Sequence, residues 1–104
     1  MSIKIDITLT ILRTRTFAVW LDGLRDRREQ TIIAARIERV SVGNSGDVKS
    51  LGGGLQEIRI DYAAGYRVYF TVHAGQVILL LAGGDKSSQR RDILQARAML
   101  NEEG

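Results

Sequence analysis

Residues 3–11 (Ile3-Lys4-Ile5-Asp6-Ile7-Thr8-Leu9-Thr10-Ile11) alternate apolar and polar with a period of two. That alternation, rich in β-branched side chains, predicts a half-buried strand. The period then changes. Phe17, Trp20, Leu21 and Leu24 stand at i, i+3, i+4 and i+7, the stripe of a helix, and Gly23 keeps that helix short. A second helix is predicted over residues 26–42, with Ile33, Ile37 and Val40 on one face and Arg27, Arg28, Arg36 and Arg39 mostly elsewhere. Gly43-Asn44 closes it, because both residues tolerate positive φ. Two helices with so short a join read as a helical hairpin.

Residues 43–54 hold five glycines and almost no apolar side chains, and so predict a loop. Strands are expected at about 55–62, 66–73 and 76–82. The last, Val77-Ile78-Leu79-Leu80-Leu81, is apolar on both faces and is predicted to be the most buried. A third helix, from about Ser87 to Asn101, sets Ile93, Ala96 and Leu100 on one side and Arg90, Arg91 and Arg97 around the rest. The order β-α-α-β-β-β-α, with strands gathered after the helices, predicts an α+β domain. Its mostly antiparallel sheet is packed by the helical hairpin and the C-terminal helix.

Turn chemistry suggests a register for the central hairpin. Pairing Tyr62 with Tyr66 leaves the three-residue loop Ala63-Ala64-Gly65, with glycine at the left-handed position. Ile60 then faces Val68 and Ile58 faces Phe70 on an apolar side. Asp61–Arg67, Arg59–Tyr69 and Glu57–Thr71 fall on a polar side. A slip of one residue would mix the two faces.

Length and composition narrow the class. The chain has 104 residues with no Cys, no Pro and 11 Gly, enough for one domain (1–104) and one core. Without cysteine there are no disulfides, thiolate zinc sites or cysteine nucleophiles, which suits a reducing cytoplasm. No apolar run approaches the ~20 residues of a membrane span, and the first residues do not resemble a signal peptide. One His and no Cys argue against a transition-metal site; no metal and no cofactor is expected. Fifteen cations, twelve of them Arg, stand against twelve anions, a formal net charge of +3. Arginine is the planar, bidentate choice for phosphate, so nucleic acid is one partner class; ordinary surface ion pairs are the other explanation.

The polar side of the predicted sheet holds Glu57, Arg59, Asp61, Arg67, Tyr69 and His73, with Lys49 available from the Gly-rich segment and Lys86 from the start of the third helix. Two readings stand together: a solvated face of cross-strand ion pairs, each worth under ~1 kcal/mol, or a basic patch for phosphate tuned by acids. Gly83-Gly84-Asp85-Lys86-Ser87 lacks the glycine spacing of a nucleotide loop, and Asp85 would repel phosphate.

An ordered series resembles the RelE/ParE toxin superfamily. It comprises Gly43-Asn44-Ser45-Gly46-Asp47-Val48-Lys49, Glu57-Ile58-Arg59-Ile60, Gly65-Tyr66-Arg67-Val68-Tyr69-Phe70, Leu79-Leu80-Leu81-Ala82-Gly83-Gly84-Asp85-Lys86, Gln89 and Asp92-Ile93. Within the superfamily it is most similar to the HigB-like, phage-derived "addiction module killer protein" subgroup. The resemblance covers almost the whole chain and implies a RelE-like, microbial-RNase-like fold. It implies the toxin of a type II toxin–antitoxin pair: an mRNA interferase, an endoribonuclease that inhibits translation on the ribosome, silenced by a cognate helix-turn-helix, HigA-like antitoxin. The alternative is a ParE-like toxin that binds DNA gyrase and cleaves nothing. A plain nucleic-acid-binding module is a third reading.

The resemblance places Arg67 as the arginine on the scissile phosphate, Arg59 where such nucleases carry a strand lysine, and Lys86 as the basic residue after the last strand. These three are the candidate catalytic residues. Asp92 stands where RelE-type enzymes carry a tyrosine. Cleavage by the 2′-hydroxyl needs a base, donors for a phosphorane and an acid for the leaving oxygen; Glu57 and Asp92 are the candidate acid–base groups. Lys49, Tyr69, His73, Arg90 and Arg91 are candidates for RNA contact. An exposed apolar strip for a partner is expected near Ile93, Leu94 and Met99, or along the helical hairpin.

Overall fold

A computed structural model describes residues 8–103. The elements run β1 (Thr10–Arg13), α1 (Arg15–Asp22), α2 (Arg27–Ser41), β2 (Val48–Gly52), β3 (Leu55–Ile60), β4 (Tyr66–His73), β5 (Val77–Asp85), a 3₁₀ turn (Lys86–Ser88) and α3 (Gln89–Glu103). The five strands form one sheet in the order β1-β5-β4-β3-β2. β1 runs parallel to β5 and every other pair is antiparallel, giving the α+β class expected. Residues 3–7 of the first predicted strand lie outside the described residues, and the strand itself starts at Thr10.

Local chemistry sets the helix ends. The Thr14 hydroxyl caps α1 by accepting from the Phe17 N–H (3.1 Å), and donates to the Leu81 carbonyl on β5 (2.8 Å). Asp26 caps α2 by accepting from the Arg28 N–H (2.8 Å). At its far end the Gly43 N–H bonds to the Val40 carbonyl and the Asn44 N–H to the Arg39 carbonyl. Gly43 takes the positive φ (89°) that this closure requires.

Two expectations are corrected here. The Gly-rich stretch 43–54 is not all loop: Val48–Gly52 is a fifth strand, paired with β3 and turned by Gly52, Gly53 and Gly54, all at positive φ. It is an edge strand with little burial, so it lacks the apolar run that marks an interior strand. The most buried strand is β4, not β5, because the order places β4 in the middle of the sheet.

The central hairpin also differs. Ile60 pairs with Tyr66, Arg59 with Arg67, Ile58 with Val68 and Glu57 with Tyr69, a shift of two residues from the expected register. The five residues 61–65 form the turn, closed by the Gly65 N–H on the Tyr62 carbonyl (2.9 Å), with Ala63 and Gly65 at positive φ. An even shift preserves the faces, so the apolar and polar sets stay as sorted. The Asp61–Arg67 pair does not form, and Asp61 is exposed in the turn.

α1 and α2 cover one face. Phe17, Ile33, Ile37 and Val40 pack there on Ile58, Ile60, Val68, Phe70, Ile78 and Leu80. The other face, expected to be polar, is apolar in part. α3 covers part of it, packing Ala96, Ile93 and Leu100 against Leu55, Tyr69, Leu81 and Ala82. Leu81 and Ala82 both belong to that side because β5 bulges opposite Tyr69–Phe70.

Candidate functional site

The register lays two rows of side chains across the α3-covered face. One runs Lys49, Glu57, Tyr69 and Ala82 over β2–β5; the next runs Arg59, Arg67 and Gly84 over β3–β5. Like charges directly opposite on a sheet repel, so Arg59 beside Arg67 calls for an anion. Glu57 supplies it. Its Oε1 lies 3.3 Å from Arg59 Nε and 4.0 Å from Arg67 Nε.

Glu57 is 1% exposed, and a carboxylate so far from water is stable only when paired and hydrogen-bonded. The Gln89 side-chain amide, from the first turn of α3, donates to its Oε2 (3.2 Å). Two guanidinium groups thus share the one Glu57 carboxylate. Among the described residues neither Arg59 Nε nor Arg67 Nε makes a hydrogen bond of good geometry. Besides its pairing with Glu57, Arg67 donates from Nη1 to the Tyr66 carbonyl (3.4 Å). The Arg59 side chain is 40% exposed and that of Arg67 11%, so any ligand approaches from the Arg59 side.

Next to this pair, α3 comes down onto the sheet. A Cβ on Gly84 would lie 1.8 Å from Asp92 Oδ2 and 2.6 Å from Ser88 Oγ, so only glycine admits the carboxylate. Asp92 is buried, accepts from the Ser88 hydroxyl (2.5 Å) and pairs with Arg91 Nε (3.7 Å). It is turned inward and holds α3 to β5. Asp85 caps the 3₁₀ turn, accepting from the Ser87 N–H (2.8 Å) and hydroxyl (2.5 Å); those bonds hold its carboxyl below the usual carboxylate range.

The remaining candidates divide. Lys49 shares the face with Glu57 from the exposed edge strand, and the methylenes of Lys86 lie over Gly65 at the same end of the sheet. His73 does not join them. It is exposed at the far end of β4, paired with Val77, six residues from Arg67, roughly 20 Å at ~3.3 Å per residue. Tyr69 offers no ring for stacking, being wholly buried under α3. Its hydroxyl faces Glu57 but makes no hydrogen bond of good geometry among the described residues, and burial, followed by the charges of Glu57 and Asp92, pushes its phenol well up. Arg90 and Arg91 are exposed on the outer side of α3 around Leu94, itself 66% exposed, while Ile93 and Met99 are half-buried.

Gln89 and Gly84, quoted only for the resemblance, and Ser88 carry no site role in the sequence reading; the structure brings all three to this face. Tandem glycines inside a strand are the one signal that pointed to them, since they mark a close approach. Among the described residues no group of three or more His, Asp or Glu side chains could hold a metal ion, and no helix is long and apolar enough to cross a membrane.

Residues 19–100 match the model of a family described as "Phage derived protein Gp49-like (DUF891)". The chain is also similar to an uncharacterized protein of Haemophilus influenzae, 46% identical over 98 residues that cover 94% of this chain and 99% of that protein.

Proposed function

The chain belongs to the phage-derived Gp49-like family, a family of the RelE/HigB toxin type, and from that premise we propose that it is the toxin of a type II toxin–antitoxin pair acting as an endoribonuclease on ribosome-bound mRNA. The observation that carries the proposal is the arginine pair: two adjacent guanidinium groups with unbonded Nε donors on a face that is otherwise packed. A solvated ion-pair face would not need Glu57 buried between them, and a surface that only docks on a protein would not need the pair at all.

In this reading the phosphodiester enters beside Arg59, and both arginines donate to its non-bridging oxygens. Such donors matter most where charge develops, on the phosphorane, at about 3 kcal/mol per donor removed. Glu57 is the base. It takes the proton from the 2′-hydroxyl as O2′ bonds to phosphorus and the bond to O5′ breaks. Lys86, beyond the pair at the same end of the sheet, is the candidate proton donor to O5′. Asp92 positions α3 and stays outside the proton path. Lys49 and Arg90 extend the positive surface along the RNA, and Arg91 adds to it from its pair with Asp92. A helix-turn-helix, HigA-like antitoxin is the proposed silencing partner, and the cytoplasm the proposed place of action.

Induction of the gene tests this directly. Collapse of translation with truncated mRNA supports the proposal. A DNA-damage response with filamentation and intact mRNA would point instead to a gyrase-binding toxin, the reading that Asp92 in place of a tyrosine favours. Unimpaired growth would leave a nucleic-acid-binding module.

A further inference from the structure

Glu57 occupies the Nε edges of the arginine pair, the position a phosphate oxygen bound to those edges would take. Its Oε1 faces the Nε edge of both Arg59 and Arg67 (3.3 and 4.0 Å), and those are the donors left without a good hydrogen bond. Its other oxygen is not free to turn, because Gln89 of α3 holds Oε2 at 3.2 Å. The result is an arginine pair already occupied by an anion from the chain itself.

We propose that Glu57 is a resident counter-anion that a substrate phosphate must displace from Arg59 and Arg67, with Gln89 as the latch that keeps it there. The proposal rests on the phosphate-binding reading of the arginine pair and concerns how that site is regulated. Two anions cannot share the same guanidinium edges without mutual repulsion, and the carboxylate is attached to the chain, so it competes at high effective concentration. Displacement has a direction: Arg59 is the exposed member of the pair, so an incoming phosphate meets it first and Arg67 last. A displaced Glu57 remains beside the phosphate, where a base is required, so the gate and the proposed base are one side chain at two stages. Gln89 starts α3, so anything that shifts the beginning of that helix also loosens the latch.

The test is binding rather than turnover. The probe is a short single-stranded RNA carrying 2′-O-methyl groups, which cannot be cleaved, titrated at low ionic strength against wild type, Glu57→Gln, Gln89→Ala and Arg67→Ala, with thermal melting as the folding control. The expected order is Glu57→Gln about tenfold tighter than wild type, Gln89→Ala about threefold tighter, and Arg67→Ala tenfold or more weaker. If Arg67→Ala binds as wild type does, the pair is not a phosphate site and the functional reading itself fails. If Arg67→Ala weakens binding but Glu57→Gln gives no gain, the phosphate site stands and the gate falls. Should Glu57→Gln not fold, Gln89→Ala decides alone: tighter binding supports the latch, and unchanged or weaker binding overturns it.

Discussion

Gly83 and Gly84 are neighbours on β5 and face opposite sides of the sheet, and each lies beneath a side chain that leaves no space for a Cβ. Over Gly83 it is the ring of Trp20, 2.2 Å from where the Cβ would sit; over Gly84 it is the carboxylate of Asp92, at 1.8 Å. The same absence of a side chain therefore serves two different ends. On the α1–α2 face it admits an aromatic ring into a core of Phe17, Trp20 and Tyr66, whose rings pack with centroids 5.6 and 6.1 Å apart. On the α3 face it lets a helix carrying Asp92, Ser88 and Gln89 settle beside a buried ion cluster. One face is made for packing. The other keeps buried charge and a buried phenol, which packing alone would not favour, and that contrast supports placing the proposed chemistry there.

The largest expected difference is between core deletions and a polar deletion. Phe17→Ala should lower unfolding free energy by about 3–5 kcal/mol, measured by urea denaturation. Tyr69→Phe, on the other face, should change stability by less than about 1 kcal/mol, since its buried hydroxyl makes no hydrogen bond of good geometry among the described residues. A loss above about 1 kcal/mol for Tyr69→Phe would break the contrast.

Next come the two glycines. Gly83→Ala and Gly84→Ala should each destabilise by roughly 1–3 kcal/mol, the range for overpacking. They should part in activity. Gly83→Ala disturbs Trp20 alone, whereas Gly84→Ala pushes Asp92 and the start of α3 off the sheet, so RNA cleavage should fall with Gly84→Ala well beyond its share of unfolded protein. Equal activities for the two variants would remove the distinction.

The apolar-side face has a polar contact of its own. The Tyr66 hydroxyl donates to Glu29 of α2, and that bond, with burial, raises the phenol from its ordinary 10.0 to about 12. A phenol held protonated in the folded state contributes stability that is complete below pH 10 and is lost as pH climbs towards 12. Wild type should therefore weaken across that window, and Tyr66→Phe should show a shallower decline, read by thermal melting against pH. An unchanged slope would contradict the assigned cause.

The smallest effect is expected at Asp85. Its lowered carboxyl contributes stability present above its ordinary 3.8 and lost as pH falls through and below that value. Asp85→Ala should cost about 1 kcal/mol at neutral pH, as for other lost caps, and flatten the acid limb of the stability curve.

Where pattern carried the information, the sequence was sufficient. Ile33, Ile37 and Val40 on α2, and Ile58, Val68 and Phe70 on the hairpin, are core residues that alternation and helical spacing identify, and all are buried. The hairpin register was off by two residues because a five-residue turn with Ala63 at positive φ has no marker as strong as a terminal glycine. Arg59 and Arg67 still fell on the right face, since an even shift conserves it. β2 escaped notice because an exposed edge strand imposes no apolar requirement. What the pattern could not convey was depth. Nothing in the order of residues shows that Tyr69 is covered by α3 while Arg59 is not, or that Gln89, thirty-two positions away, reaches Glu57.

One comparison tests most directly whether the arginine pair acts on phosphate. Purified wild type and Arg67→Ala are incubated with mRNA on ribosomes, and the new 5′ ends are mapped by primer extension. The prediction is discrete cleavage by wild type and a loss of about 10²–10³-fold in rate for Arg67→Ala, with both proteins melting as folded domains. Intact mRNA with both proteins, or equal cleavage by both, would contradict it.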